Sequence, residues 1–432
     1  MERRALNVAI VGFGTVGRSV AKVLCREVSP SLRLAVICNR NIERKKVDWV
    51  PADVRWTDRI DDVLSSDADI VVELMGGLTP AEDVIRRALL AGKSVVTANK
   101  QLIALRGVEL LEVARRQGRE LLFEASVAGG IPIVRAIREG LAGDRLFRIA
   151  GILNGTCNYV LSRMDTAGLA FADALKEAQT LGFAEANPTD DIDGFDARAK
   201  LAILIAVGLR CQVRPSDIPC RSISNVEPID FTYARGLDCT IRQVSWTEKG
   251  RVQGQPLFAS VRPALVPLSS PLARVDGSQN LVSVQGEFGG ETTFSGFGAG
   301  GDPTAVAVVS DLVAIARAGH ASDVVPAVPD FDGRAEVNPD FVAPHYVRFT
   351  VADRPGIIAA LAMVLSRHKI NIDAVVQLPG HPKTRLPFVM TLERCPLSVL
   401  EAALEEIEAL AFHVQPPMSV PILGMPRPSE TA

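Results

Sequence analysis

Histidine is missing from residues 1–319: His320, His345, His368, His381 and His413 are all that the 432 residues contain. A histidine-ligated zinc is thereby excluded from the larger part of the chain, and proton transfer there falls to Lys, Asp, Glu, Tyr or water. A lysine mechanism is favoured. Patterned cysteine is also missing. Cys25, Cys38, Cys157, Cys211, Cys220, Cys239 and Cys395 show no C-x-x-C spacing. An odd, scattered set in a long chain predicts reduced thiols and a cytoplasmic protein. There is no surplus of positive charge, the net value being -3, so nucleic acid is not expected as a partner. No run of about 18 apolar residues occurs, and no membrane span is expected. The basic start Met1–Arg4 leads through Ala5–Val11 into glycines rather than a small-residue cleavage site, unlike a signal peptide. A chain of 432 residues exceeds one core and predicts two to three domains.

Glycine, by contrast, is placed with purpose. Asn7–Val11 reads as a buried strand, followed by Gly12-Phe13-Gly14-Thr15-Val16-Gly17 and a helical segment, Arg18–Val28. Strand, glycine turn and helix in this order form a dinucleotide-binding fingerprint: a tight turn, close backbone approach to a pyrophosphate, and a helix N-terminus facing its charge. The second strand, Leu32–Cys38, ends at Asn39-Arg40-Asn41, where an NAD-selective fold usually carries a carboxylate. Arg40, with Arg44, Lys45 and Lys46 behind it, favours a 2′-phosphate, so NADP(H) is expected to be preferred and NAD(H) possible. Ile70–Leu74, Pro80–Ala91, Ser94–Thr97, Val108–Gln117 and Glu120–Glu124 continue an alternation of strands and helices, predicting a Rossmann-type doubly wound parallel sheet in an α/β protein. Loops at its carboxyl edge, among them Met75-Gly76-Gly77 and Thr97-Ala98-Asn99-Lys100, then line the cofactor crevice.

Ala178–Lys200, AQTLGFAEANPTDDIDGFDARAK, gathers Glu185, Asp190, Asp191, Asp193, Asp196 and Lys200 around glycine and proline turns. Such a segment buries little and asks for a ligand. Gly182 and Pro188 break the helix Phe171–Leu181, and Gly194 precedes an apolar helix, Ala197–Leu209. Asp196 and Lys200 fall one turn apart on one face, a pair worth roughly 0.2–0.5 kcal/mol if it is only helix support. Upstream, Arg148–Leu161 reads as strand, Asn-Gly turn and helix start, with Thr156 or Asn158 available to polar substrate groups. Asp230–Val284 reads as short alternating strands of a mixed sheet carrying the substrate site and a subunit interface. A second glycine turn, Gly296–Thr304, precedes the apolar helix Ala305–Ala318.

The string from Glu185 through Asp190, Asp191 and Asp196 to Lys200 resembles the homoserine dehydrogenases, as do the V-T-A-N-K strand end at Lys100 and the I-L-N-G-T-x-N motif, in which Cys157 replaces a frequent threonine. The resemblance implies reversible hydride transfer between NAD(P)H and L-aspartate 4-semialdehyde, giving L-homoserine on the route to threonine, methionine and isoleucine. Lys200 is then the proton donor, its pKa drawn toward the working pH by burial or a second cation, and Lys100 polarises the same oxygen. Glu185 and Asp196 would hold the substrate, Glu185 at the α-ammonium, with Asp190 and Asp191 orienting the loop. The cofactor set implied is Gly12, Phe13, Gly14, Thr15, Val16, Gly17, Arg40, Thr97, Lys100, Gly182 and Gly300. A sodium site is implied at Glu124, Val127, Gly129 and Ile131. With no aspartate-kinase segment ahead of Met1, a monofunctional enzyme is expected. Two rivals are a Rossmann dehydrogenase of another small hydroxy compound, which would not need the acidic set, and an NADP-responsive regulator, which would not need both lysines.

Ala321–Pro344 is proline-rich and acidic, a linker. Beyond it, strand Tyr346–Val351, turn Asp353-Arg354-Pro355-Gly356, helix Ile357–His368, strands Asn371–Gln377 and Phe388–Leu392, helix Leu397–Leu410 and strand Phe412–Pro416 follow the βαββαβ order of a ferredoxin-like unit. Its D-R-P-G-I-I turn resembles an ACT domain, implying an amino-acid effector, L-threonine, and feedback inhibition. The expected plan is a dinucleotide-binding domain at 1–145 completed by about 302–320, an α+β substrate-binding and dimerisation domain at 146–301, a linker at 321–344, an ACT module at 345–420 and a flexible tail at 421–432. A homodimer or homotetramer is expected.

Overall fold

In this computed structural model the described residues are 4–26, 29–250, 256–318 and 333–424. Short, β-branched apolar segments supply the first six strands: β1 (Leu6–Val11), β2 (Leu32–Cys38), β3 (Arg55–Thr57), β4 (Ile70–Glu73), β5 (Ser94–Thr97) and β6 (Leu121–Leu122). They pair in parallel in the order β3-β2-β1-β4-β5-β6. Helices cover both faces of such a sheet, which is why the central strands are apolar throughout rather than alternating; Val8, Ala9 and Ile10 are all fully buried. Strand order reverses between β1 and β4, and the crevice of a doubly wound sheet lies outside the carboxyl ends at that point. The helix Gly301–Ala318 returns from far along the chain to pack on the helix Thr15–Cys25, with Ser19 Oγ donating to Asp302 Oδ1 at 2.7 Å.

The second sheet is mixed. It contains β7 (Leu146–Ile152), β8 (Cys239–Lys249), β9 (Leu257–Pro267), β10 (Gln279–Gly286), β11 (Gly290–Phe297) and β12 (Val337–Asn338), ordered β11-β10-β7-β8-β9-β12. Only the β9–β12 pair is parallel. The helix Phe195–Leu209 lies on β7 and β8, and the helix Gly155–Ala167 on β8 and β10. The third sheet, β13 (Val342–Val351), β14 (Ile372–Val376), β15 (Leu386–Pro396) and β16 (His413–Pro421), is antiparallel in the order β14-β15-β13-β16. Helices Ile357–Arg367 and Leu397–Glu408 complete its βαββαβ order.

Four expectations change. Pro228–Arg235 is a helix, because Pro228 opens it and the Glu227 and Asp230 side chains form a reciprocal cap, while β8 and β9 run 11 residues each rather than being short. The helix expected around Val108–Gln117 begins at Lys100, where Asn99 Oδ1 accepts from Leu102 N at 3.2 Å; Gly107 within it is a packing glycine, not a break. Residues 333–344, read as linker, contribute β12 and the start of β13; residues 319–332 lie outside the described set. The start of the tail is not loose: β16 reaches Pro421, and Leu423 N donates to Leu265 O at 2.9 Å as Ile422 and Leu423 become buried. Those two apolar side chains find cover against the mixed sheet. Residues 425–432 lie outside the described set. Among the described residues, no helix is long and apolar enough to cross a membrane.

Candidate active site

Gly194, in the left-handed region at φ 84°, turns the acidic loop into the helix Phe195–Leu209, so Asp196 enters in the first turn and Lys200 one turn later. The Lys200 ammonium donates to Asp196 Oδ2 at 2.7 Å and to the Leu153 carbonyl at 2.8 Å. From the carboxyl end of β5, Lys100 brings its Nζ to 2.6 Å from Asp196 Oδ1. One carboxylate thus bridges two ammonium groups that stand 100 residues apart in the chain. Asn154 completes the cluster: its amide donates to Asp196 Oδ2 at 2.8 Å and to Asp191 Oδ1 at 2.6 Å, while its Oδ1 caps the helix Gly155–Ala167 through Cys157 N.

Burial alone would raise the Asp196 carboxyl, but Lys200 and Lys100 outweigh it and hold the group well below the usual carboxylate range. Burial likewise works against charge on Lys100, yet the Asp196 carboxylate wins and its pKa is raised. A carboxylate thus stands between the two ammonium groups, which were expected to meet only at a shared oxygen. Asp191 is pushed up by burial, with Asp196 adding to the effect and the Asn154 hydrogen bond opposing it. Asp196 and Lys200 are buried, whereas Lys100 keeps 39% of its side chain exposed and faces the open side.

The glycine turn is built tightly. Gly12 has φ 105°, and a Cβ at Gly17 would lie 2.1 Å from the Gly12 carbonyl, so a side chain there would push helix and strand apart. A Cβ at Gly14 would meet nothing within 4 Å, which leaves open space over the turn. No acidic residue occupies the first turn of the helix Thr15–Cys25, so the N–H groups around Thr15 and Val16 are free to meet an anion. Phe13 presents only main chain at the turn: its ring is fully buried against Trp56, and its N–H donates to Asn39 Oδ1 at 3.1 Å. Gly301 packs on Thr15 and Ser19, which brings the Gly300 turn against the start of that helix. Arg40 is exposed at the end of β2. These features fit a dinucleotide pyrophosphate.

Glu73, which stood out in sequence only as an acidic residue in a run of aliphatics, ties the crevice loops together. Fully buried, it accepts from Met75 N at 2.7 Å, Gly76 N at 3.2 Å and Thr97 Oγ1 at 2.7 Å. Thr97 in turn accepts from Asn99 N at 3.0 Å, and Asn99 donates to Gly77 O at 2.6 Å. Glu124 has a comparable task. Its two oxygens accept from Val134 N and Arg135 N, both at 2.8 Å, and burial raises its pKa despite these bonds. The carboxylate therefore caps the following helix, and the implied cation set turns on the main chain of Val127, Gly129 and Ile131.

Glu185, Asp190 and Gly182 remain exposed on the loop, and among the described residues neither carboxylate pairs with the lysines. The Thr156 hydroxyl and the Asn158 amide nitrogen are already engaged. Thr156 Oγ1 donates to Phe183 O at 2.7 Å, and fully buried Asn158 donates to Val275 O and Gly277 O, both at 2.9 Å. Cys157 packs inward, fully buried, with its Sγ 3.0 Å from Asp191 O. Of this motif, the Leu153 carbonyl and the Asn154 side chain reach the lysine cluster, and the signal of Asn154 was position: an asparagine at a helix start, next to a strand end.

Three family models match the chain: the homoserine dehydrogenase NAD-binding domain over residues 12–124, homoserine dehydrogenase over 132–313, and the ACT domain over 345–412. A homoserine dehydrogenase of Mycobacterium tuberculosis is 40% identical over 386 residues, 87% of each chain. The crystal structure of a homoserine dehydrogenase from Thiobacillus denitrificans superposes with a TM-score of 0.89 at 35% identity, covering 97% of this chain and 98% of that one. A hyperthermophilic archaeal homoserine dehydrogenase, solved in complex with NADPH, gives a TM-score of 0.61 at 29% identity, covering 72% of this chain and 97% of its own. With the lysine–carboxylate cluster at the crevice edge of a Rossmann sheet, the chain belongs to the homoserine dehydrogenase family, NAD(P)-dependent oxidoreductases, and carries a carboxyl-terminal ACT domain.

Proposed function

We propose that this chain reduces L-aspartate 4-semialdehyde reversibly to L-homoserine with NADPH as the preferred cofactor, at the cluster of Lys100, Lys200 and Asp196. The observation that carries this is the bridging of both ammonium groups by the single Asp196 carboxylate. When bound, NADPH supplies the hydride from its nicotinamide. The aldehyde oxygen then becomes an alkoxide that needs a proton. An ammonium has three N–H donors; Lys200 spends two on Asp196 and Leu153 O, and the third delivers the proton. Lys100, kept charged by Asp196, polarises the same oxygen. Glu185 takes the substrate α-ammonium and Asp190 orients the loop. Asp191 and Asp196 hold the lysines and Asn154 in register rather than presenting a free face.

Exposed Arg40, with Arg44, Lys45 and Lys46 nearby, supports recognition of a 2′-phosphate. Gly12, Gly14, Thr15, Val16 and Gly17 take the pyrophosphate, and Thr97, Gly182 and Gly300 border it. Sodium is proposed on the main-chain carbonyls of Val127, Gly129 and Ile131, in the turn that Glu124 caps. The seven free thiols suit the cytoplasm, and a homodimer or homotetramer with L-threonine as ACT effector completes the proposal. Following NADPH oxidation with aspartate semialdehyde beside other small aldehydes tests it. Turnover should be confined to the semialdehyde and kcat/KM higher for NADPH than for NADH. Faster turnover of another aldehyde sinks the substrate assignment; equal use of NADH sinks the cofactor preference.

A further inference from the structure

The four-stranded module is not tethered by its linker alone. Tyr346, Val389, Met418 and Val420 of its sheet share one continuous apolar cluster with Ile223, Val226 and Phe231, and with Cys157, Ala184 and Ile192 at the substrate end. A buried polar chain runs through that cluster. Asp230, fully buried, accepts at Oδ1 from Tyr346 Oη at 2.7 Å and Arg348 Nε at 2.8 Å, and at Oδ2 from Glu227 N at 2.8 Å. Arg348, also buried, donates to Asn225 O at 3.0 Å and pairs with Glu227 at 3.2 Å. The 222–227 turn gripped in this way hands on the constraint: Val226 N donates to Ile223 O at 3.1 Å, and Ile223 N to Ile192 O at 3.2 Å. Ile192 closes the one-turn helix Thr189–Ile192, whose Asp191 is held by Asn154 beside the lysines.

A buried carboxylate and guanidinium tolerate little displacement, because a shift that parts them leaves two uncompensated charges away from water. The turn and the module therefore move together, and the acidic helix follows the turn. We propose that Asp230, gripped by Arg348 and Tyr346, is a positioning residue for the substrate: through the 222–227 turn it holds Asp191 and its loop in place, so the state of the module is read out in substrate affinity and not in cofactor affinity. The inference rests on the substrate role proposed above for that loop.

Steady-state kinetics and hydrogen exchange on the full chain test it, with Asp230→Asn, Tyr346→Phe and a control, Leu400→Ala, in the module's own core away from the network. Asp230→Asn should raise the semialdehyde KM about three- to tenfold, and Tyr346→Phe less, with the NADPH KM within about twofold of wild type. Leu400→Ala should lower Tm and leave the KM unchanged. Amide exchange over residues 186–196 should quicken about tenfold in Asp230→Asn and stay unchanged in the control. Wild-type KM and protection in both network variants overturn the inference. So does an equal effect of Leu400→Ala, which marks a merely structural role. Should Asp230→Asn fail to fold, Tyr346→Phe decides. An inactive wild type would instead sink the proposed function, and hydrogen exchange would still answer for the network.

Discussion

Asp196 is the centre of the lysine cluster. A carboxylate buried with one ammonium on each oxygen is neutralised twice over, which is why it stays ionised despite burial. In the proposed mechanism its service is orientation, since it fixes two flexible side chains, one ammonium on each oxygen. The proposed division of labour between the lysines matches their exposure, since Lys200 is nearly enclosed while Lys100 is partly exposed. Lys200→Ala should lower kcat by about a hundredfold or more, as loss of a positioned acid does, and leave NADPH binding intact by fluorescence titration. Turnover retained in that variant would remove Lys200 from its role. The Asp196 and Lys200 pair was readable from spacing, because helix geometry is local. The approach of Lys100 was expected only from the family resemblance, and its contact with Asp196 was not expected at all, because nothing in a pattern of residues reports which loop of a sheet faces which helix.

Helix Gly301–Ala318 shows how one element serves two places. Its Gly301 end abuts the first glycine turn, and its middle sends Asp311 to the turn after β6, where Asp311 Oδ2 accepts from Glu124 N at 2.9 Å and Oδ1 lies 3.0 Å from Arg135 Nη2. Burial, with the Glu124 carboxylate beside it, pushes the Asp311 carboxyl up to about 7. The folded protein thus keeps a proton that the unfolded chain gives up near its ordinary value of about 3.9. The stabilisation is complete below that lower value and is lost as pH rises through about 7. Asp311→Asn cannot titrate, so the variant's deficit in Tm relative to wild type should shrink across that window. A deficit independent of pH in paired thermal melts would contradict the assignment. The element itself was legible as an apolar run after glycines, and its return to the first sheet was expected from resemblance. The ion cluster it delivers to Glu124 was not, since Asp311 is one acidic residue among aliphatics.

Three sheets share one enzyme because each solves a different burial problem: a parallel sheet covered on both faces, a mixed sheet under two long helices, and an antiparallel module with helices on one side. The module is joined to the rest by an apolar cluster and by the Asp230–Arg348–Tyr346 contacts, the route by which the proposed effector would act on the whole chain. L-Threonine in excess should therefore slow semialdehyde reduction and raise Tm by the mass-action increment of a native-state ligand. An unchanged rate and melt at millimolar threonine would remove it as effector. The strand and helix alternation of the first domain, the glycine fingerprint, the acidic string and the βαββαβ succession were all written in periodicity and spacing, since propensity and turn chemistry act over a few residues. Asn154 at the lysines, Glu73 under the crevice loops, Thr156 and Asn158 turned to other partners, and the tail paired against β9 had to wait for the folded chain. Those outcomes depend on which distant backbone groups come within about 3 Å, the reach of a hydrogen bond, and that is settled only when the sheets close on one another.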